Sequence, residues 1–164
     1  MTVKEHLSQC ALYNHWANQS MTEWFLAKDP ASMDKPVTSS FPSINKTLSH
    51  IWLAEYLWMC RIEGIQWKNL TGRHEGQGTQ EISTDLLEAS NYYIVKTTSI
   101  SDKDLNTTIE YKLLSGEPSQ TSVLNIIHHV MNHSTYHRGQ LVTMGREVGF
   151  TDPPKTDFIQ FVRQ

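Results

Sequence analysis

The sequence predicts an all-α protein, a four-helix bundle with one long crossover and a short C-terminal tail folded back on it. Two observations carry that prediction. Apolar residues recur at spacings of three and four through four long segments, separated by stretches rich in Gly, Pro and Ser. Strand-like alternation is confined to one short run, Thr108-Ile109-Glu110-Tyr111-Lys112-Leu113. Four helices of ~20 residues with so little strand have a bundle as their natural architecture.

The first helix is expected from Val3 to Leu26, where Val3, Leu7, Cys10, Asn14, Ala17, Met21 and Trp24 form one stripe. Asp29-Pro30 then opens a loop that runs to Ser40. The second helix is expected to start near Ser40-Phe41-Pro42-Ser43, where a capping Ser and an early Pro suit a first turn. It should run to Glu63, with Gly64 as its left-handed stop. Residues 51–59 are apolar almost all round, which implies deep burial.

Residues 66–80 carry three glycines and read as a loop. A third helix is expected after Ser83, covering Leu86, Leu87, Ala89, Tyr93 and Ile94. Residues 105–122 form either a short hairpin or an irregular crossover. The fourth helix should run from Ser122 to Val148, ended by Gly149. The tail should pack through Phe158, Ile159 and Phe161. With no internal repeat or low-complexity linker, residues 1–164 are expected to form one domain.

Composition narrows the function classes. A net charge of −3, with Lys and Arg scattered, argues against nucleic acid or an acidic membrane as partner. No apolar run is long enough to span a bilayer, and the N-terminus lacks a secretory pattern. Two isolated cysteines, Cys10 and Cys60, make no disulfide framework, so a cytoplasmic setting is expected.

Histidine is the outlier: eight occur, and four of them lie between His128 and His137. Residues four apart stack on one helix face, so His129, His133 and His137 form a ladder. A helical wheel places His133 and His137 within the apolar arc of Leu124, Ile127, Met131 and Leu141, His129 at its border and His128 in solvent. Gly139 falls on the polar side, where a neighbouring segment could approach closely. Two inward imidazoles one turn apart can converge on a zinc, nickel or iron ion, although such a pair alone is more often a partly exposed pair of side chains. A third ligand must come from another helix, and His50, opening the apolar stretch of the second, is the candidate. Three histidines leave a position for water or substrate. His6 and His15 read as surface or groove residues, and His74 as a solvated loop residue.

The run Asn132-His133-Ser134-Thr135-Tyr136-His137-Arg138-Gly139-Gln140 resembles the signature of the DinB/YfiT-like family of metal-dependent enzymes: Asn-His, three variable residues, then His-Arg-Gly-Gln. Phe41-Pro42-Ser43 through His50-Ile51-Trp52 to Trp58, Tyr13-Asn14-His15-Trp16-Ala17-Asn18 and Asp157-Phe158-Ile159 resemble further family segments. The resemblance implies a four-helix bundle, a three-histidine site for one zinc or nickel ion per chain, and a homodimer. Some members of that family are S-transferases that use bacillithiol, mycothiol or glutathione as cosubstrate.

An open three-histidine site lowers the pKa of a bound water to ~7 or holds a thiolate. No Glu follows His133, so the His-Glu-x-x-His arrangement of zinc proteases is absent. Glu55 could serve as a base, but a salt bridge to Arg138 is the preferred reading, because an unpaired buried Arg is costly. Asn14 and Gln140 could bond a ligand's second nitrogen or a substrate, or simply pack as satisfied amides. Trp16, Trp52, Trp58 and Tyr136 belong to core, interface or an apolar pocket. Three functions stay open: a thiol-dependent S-transferase acting on a small molecule, which leads; a metal-dependent hydrolase using bound hydroxide; and a non-catalytic metal-binding stress protein.

Overall fold

The computed structural model describes residues 1–66, 70–113 and 115–164. Helix α1 (Val3–Leu26) opens on a capping box. Thr2 Oγ1 accepts from the Glu5 amide at 3.1 Å, and Glu5 Oε2 accepts from the Thr2 amide at 2.7 Å. Helix α2 (Ile44–Glu63) is capped by Ser43, whose Oγ accepts from the Lys46 amide at 3.2 Å. Pro42 therefore stands before the helix, not in its first turn as expected. Gly64, at φ 65, closes α2 in the left-handed region.

Helix α3 (Thr79–Ser99) begins a turn earlier than the sequence pattern implied. That first turn, Thr79-Gln80-Glu81, offers no apolar residue to reveal it. It is anchored by Thr79, buried and donating to Asn45 Oδ1 at 2.9 Å. After a single turn, α4 (Asp102–Leu105), the chain forms a true hairpin. β1 (Thr108–Lys112) and β2 (Pro118–Ser122) pair antiparallel, Thr108 opposite Ser122. Ser122 then caps α5 (Val123–Glu147) through the Asn125 amide at 3.3 Å.

The four long helices form the bundle. α1 packs on α3 and α5, and α2 packs on the same two helices, so α1 and α2 face each other diagonally across the interior. Along the bundle the core falls into two apolar layers. Met21, Phe25, Leu48, Ile51, Leu86 and Leu141 belong to one. Leu7, Ala11, Tyr93, Ile127, Val130 and Met131 belong to the other. Between them in chain order on α1, α2 and α5 come buried polar residues: Asn14, Asn18, Glu55, Ser134 and Arg138.

The tail ends in the short helix α6 (Phe158–Phe161). Tyr13 Oη donates to the Thr156 carbonyl at 2.8 Å, and Trp24 Nε1 donates to that of Thr151 at 3.0 Å. Phe158 meets Tyr13 edge-on at 5.2 Å, and Phe161 lies 5.6 Å from Trp16. Ile159 stays exposed, so two of the three expected anchors hold the tail. Among the described residues no helix is long and apolar enough to cross a membrane.

Candidate metal centre

His50 projects from α2, and His133 and His137 from consecutive turns of α5. Their Nε2 atoms converge: His50 to His133 at 3.1 Å, and His137 to His133 at 3.2 Å. His137 is buried, and the other two are half-buried. Two imidazole nitrogens bound tetrahedrally to one ion at 2.0–2.1 Å stand about 3.3 Å apart. The observed spacing matches that within a few tenths of an ångström, so the donor set fits one divalent ion.

Electrostatics point the same way. Burial, followed by the neighbouring His137, pushes His50 down to about 4. His133 is likewise pushed down to about 4, by burial first and then by His137, His50 and His129. Burial lowers His137 too, against the opposing hydrogen bond that its Nδ1 donates to Gln140. Neutral imidazoles keep the lone pairs a metal needs. For His137 the free nitrogen is defined, because Nδ1 bonds Gln140 Oε1 at 2.7 Å. The Gln140 amide is oriented in turn by Nε2 donation to Tyr136 Oη at 3.2 Å and Ser40 Oγ at 3.3 Å. An amide oxygen on Nδ1 puts the ring proton there and leaves Nε2 bare.

Aromatic rings wall the centre. Phe41 stacks on His50 with centroids 4.1 Å apart, and Tyr136 meets His137 edge-on at 5.0 Å. His129 is exposed, 5.6 Å from His133 and 5.5 Å from Trp58, so it borders the cluster without joining it. Beside His50 and Phe41 opens a cavity of about 670 Å³, lined also by Ser49, Leu53, His74 and Ile82.

Four sequence expectations change here. Glu55 and Arg138 do not pair directly. Glu55 Oε1 accepts from Asn14 at 2.8 Å, Asn18 at 3.0 Å and Ser134 at 2.8 Å. Arg138 Nη1 donates to the amide oxygens of the same Asn14 and Asn18, at 2.6 and 2.8 Å, and Nη2 donates to Thr135. Two amides from α1 thus relay the charge pair, each donating to the carboxylate and accepting from the guanidinium. Asn14 is accordingly spent on this network and not on a ligand histidine, whereas Gln140 does bond one. Glu55 is sealed in the interior and does not line the cavity beside the histidines. His74 is buried, not solvated: Trp52 packs edge-on against its ring at 4.4 Å. The sequence signal for His74 was weak, since its partners Ser49 and Asp85 are 25 and 11 residues away. Fourth, Gly139 is exposed, and among the described residues no neighbouring segment comes near the position a Cβ would take.

The fold and the site define a class of helical bundles in which three histidines converge, a donor set that suggests a metal ion. Within that class the chain belongs to the DinB family, whose family model matches residues 1–164. It is 30% identical over 157 residues to the protein DinB of Bacillus subtilis (strain 168), covering 89% of this chain and 87% of that one. A DinB-like protein from Bacillus cereus ATCC 10987 superposes with a TM-score of 0.65 at 16% identity, over 85% of this chain and 89% of its own. YfiT from Bacillus subtilis, described as a probable metal-dependent hydrolase with an unusual four-helix bundle topology, gives a TM-score of 0.68 at 10% identity over 92% of both chains. At those identities the two structures speak for the fold.

Proposed function

We propose that His50, His133 and His137 hold one divalent ion, zinc or nickel, and that the protein is a metal-dependent enzyme, a thiol-dependent S-transferase acting on a small molecule. The observation that carries this reading is the convergence of three Nε2 atoms, one of them fixed by Gln140. A divalent ion there supplies a Lewis acid that favours the deprotonated form of a water or thiol. His50, His133 and His137 supply the neutral donors, Gln140 sets the orientation of His137, and Phe41 excludes water from one side of His50.

A thiol is favoured over water because a thiol needs little help to ionise, its ordinary pKa being about 8.5. The buried carboxylate nearest in the chain to these residues, Glu55, is already held by three donors. Metal-dependent hydrolysis is the second reading, supported by the likeness in fold to YfiT. The same proposal takes residues 1–164 as one domain that assembles as a homodimer, which light scattering would measure.

The test is a panel of electrophiles offered to zinc- or nickel-loaded protein with bacillithiol, mycothiol or glutathione, following loss of free thiol. Metal-dependent conjugation is the expected result. Ester or amide cleavage without added thiol would replace the transferase by the hydrolase. Inertness in both assays would leave a metal-binding protein without catalysis.

A further inference from the structure

Ser49 and His74 line the same 670 Å³ cavity and belong to a second cluster of reactive side chains, outside the three-histidine set. Ser49 Oγ lies 2.8 Å from His74 Nδ1, and His74 Nε2 lies 3.1 Å from Asp85 Oδ2. Asp85 is also held by Arg73 Nε at 3.0 Å. Burial alone would raise its carboxyl, but the hydrogen bonds from Arg73 and His74 outweigh that and keep it below its ordinary value. With Asp85 Oδ2 accepting at Nε2, the tautomer that carries its proton there presents Nδ1 as an acceptor for the Ser49 hydroxyl.

That partner differs from the usual one for a hydroxyl in a helix. Ser and Thr at such positions normally bond back to the carbonyl one turn earlier. Here Ser20 bonds Trp16 O, Thr47 bonds Ser43 O and Thr97 bonds Tyr93 O. Ser49 Oγ pairs with an imidazole instead. The side chain of His74 is 3% exposed, and its ring is wedged against Trp52, so the base is fixed and dry. Ser49 itself is half-buried and faces the cavity, whose lining mixes apolar Phe41, Leu53 and Ile82 with polar Asp34, Glu75 and Gln77. Lys46, one turn before Ser49 on α2, lines the same cavity and offers a positive charge to a developing oxyanion.

We propose that Ser49, His74 and Asp85 form a second, metal-independent nucleophilic site that accepts small neutral acyl esters. Ser49 Oγ attacks the carbonyl carbon while its proton passes to His74 Nδ1. The imidazolium returns that proton to the leaving alkoxide as the C–O bond breaks, releasing an alcohol and leaving acyl-Ser49. Water then attacks the acyl carbon and gives a proton to His74, which returns it to Ser49 Oγ as the carboxylic acid departs. Asp85 keeps His74 in the required tautomer throughout and acts as a positioning residue.

An alkyl fluorophosphonate, followed by intact-mass and peptide mass spectrometry, tests the site without any assumed substrate. The expected result is one phosphonyl adduct per chain, on Ser49, at a rate unchanged by EDTA. Ser49→Ala should abolish labelling, and His74→Gln should slow it about 100-fold or more. Asp85→Asn, which leaves both reacting groups in place, should slow it as well; circular dichroism checks that each variant is folded. No adduct, an adduct on another hydroxyl, equal labelling of folded His74→Gln, or loss of labelling with EDTA would each overturn the proposal.

Discussion

The helices α2 and α5 carry two polar constellations side by side, solved in opposite ways. His133 and Ser134 are neighbours in sequence, as are His137 and Arg138, yet the ~100° step of the helix sends one of each pair to an open centre and the other to a sealed one. In the sealed centre the Glu55 and Arg138 charges are relayed by Asn14 and Asn18. In the open centre three imidazole nitrogens face one another. The buried amide relay ties α1, α2 and α5 together; the convergence brings three nitrogen donors to one point. The sealed network fixes the relative rotation of the helices that the histidines need.

Breaking the open side should change metal content and nothing else. His133→Ala is expected to reduce bound metal from about one ion per chain to less than about 0.1, read by elemental analysis, while far-UV circular dichroism stays the same. Unchanged stoichiometry would remove His133 from the ligand set.

Breaking the sealed side should do the reverse. Glu55→Leu strands a buried guanidinium that cannot lose its proton, and should cost about 3–5 kcal/mol in urea unfolding of the metal-free protein. Arg138→Met should cost less in acid, because the carboxyl left behind can take up a proton. Burial already raises Glu55 above its ordinary 4.5. A carboxyl with a raised native pKa contributes fully below its unfolded value, and that contribution is lost as pH rises through the native one. The Arg138→Met deficit should therefore be small near pH 4 and grow on raising the pH to 7. A deficit that is constant across that range would mean the carboxyl does not titrate in the variant.

Gln140→Ala sharpens the contrast by touching only the support of one ligand. Losing the acceptor on His137 Nδ1 frees the ring to rotate and change tautomer, and should weaken metal binding about 10–100-fold in competition with a chromophoric chelator. Stability should barely move, since Gln140 is only half-buried. An unaltered affinity would show that packing against Phe41 and Tyr136 alone holds His137.

How much of this was legible beforehand depended on whether the signal was local. The four long helices, the caps at Ser122 and Gly64, and the pair His133 and His137 all follow from spacing within a single segment. His50 could be chosen because it opened an apolar run, and Gln140 because it sits three residues past His137, on the same face. The amide relay was not legible. Asn14 and Asn18 are 41 and 37 residues from Glu55 and over 100 from Arg138, and only the diagonal placement of α1 and α2 brings them between the two charges. A direct ion pair was the simplest pairing that chemistry allowed without that geometry. His74 was misjudged for a related reason: a glycine-rich loop reads as solvated, and nothing within it announces that Trp52 covers the ring.

Two glycines on α5 give the smallest effects, and they test the division between its buried and exposed faces. Gly145 lies on the buried face, where the Trp24 ring occupies the space a Cβ would take. Gly145→Ala must push the Trp24 ring outward or part α1 from α5, and is expected to cost about 1–3 kcal/mol. Gly139 lies on the solvent-exposed face, two residues after His137, with no described residue within 4 Å of a Cβ. Its helical φ suits alanine, so Gly139→Ala should stabilise the chain by roughly 0.5–1 kcal/mol through helix propensity alone. Urea unfolding of the metal-free variants reads both. Opposite signs for the same substitution six residues apart would locate the boundary between the faces; a cost at Gly139 would mean that something packs there in solution, and a second copy of this chain is the first partner to look for.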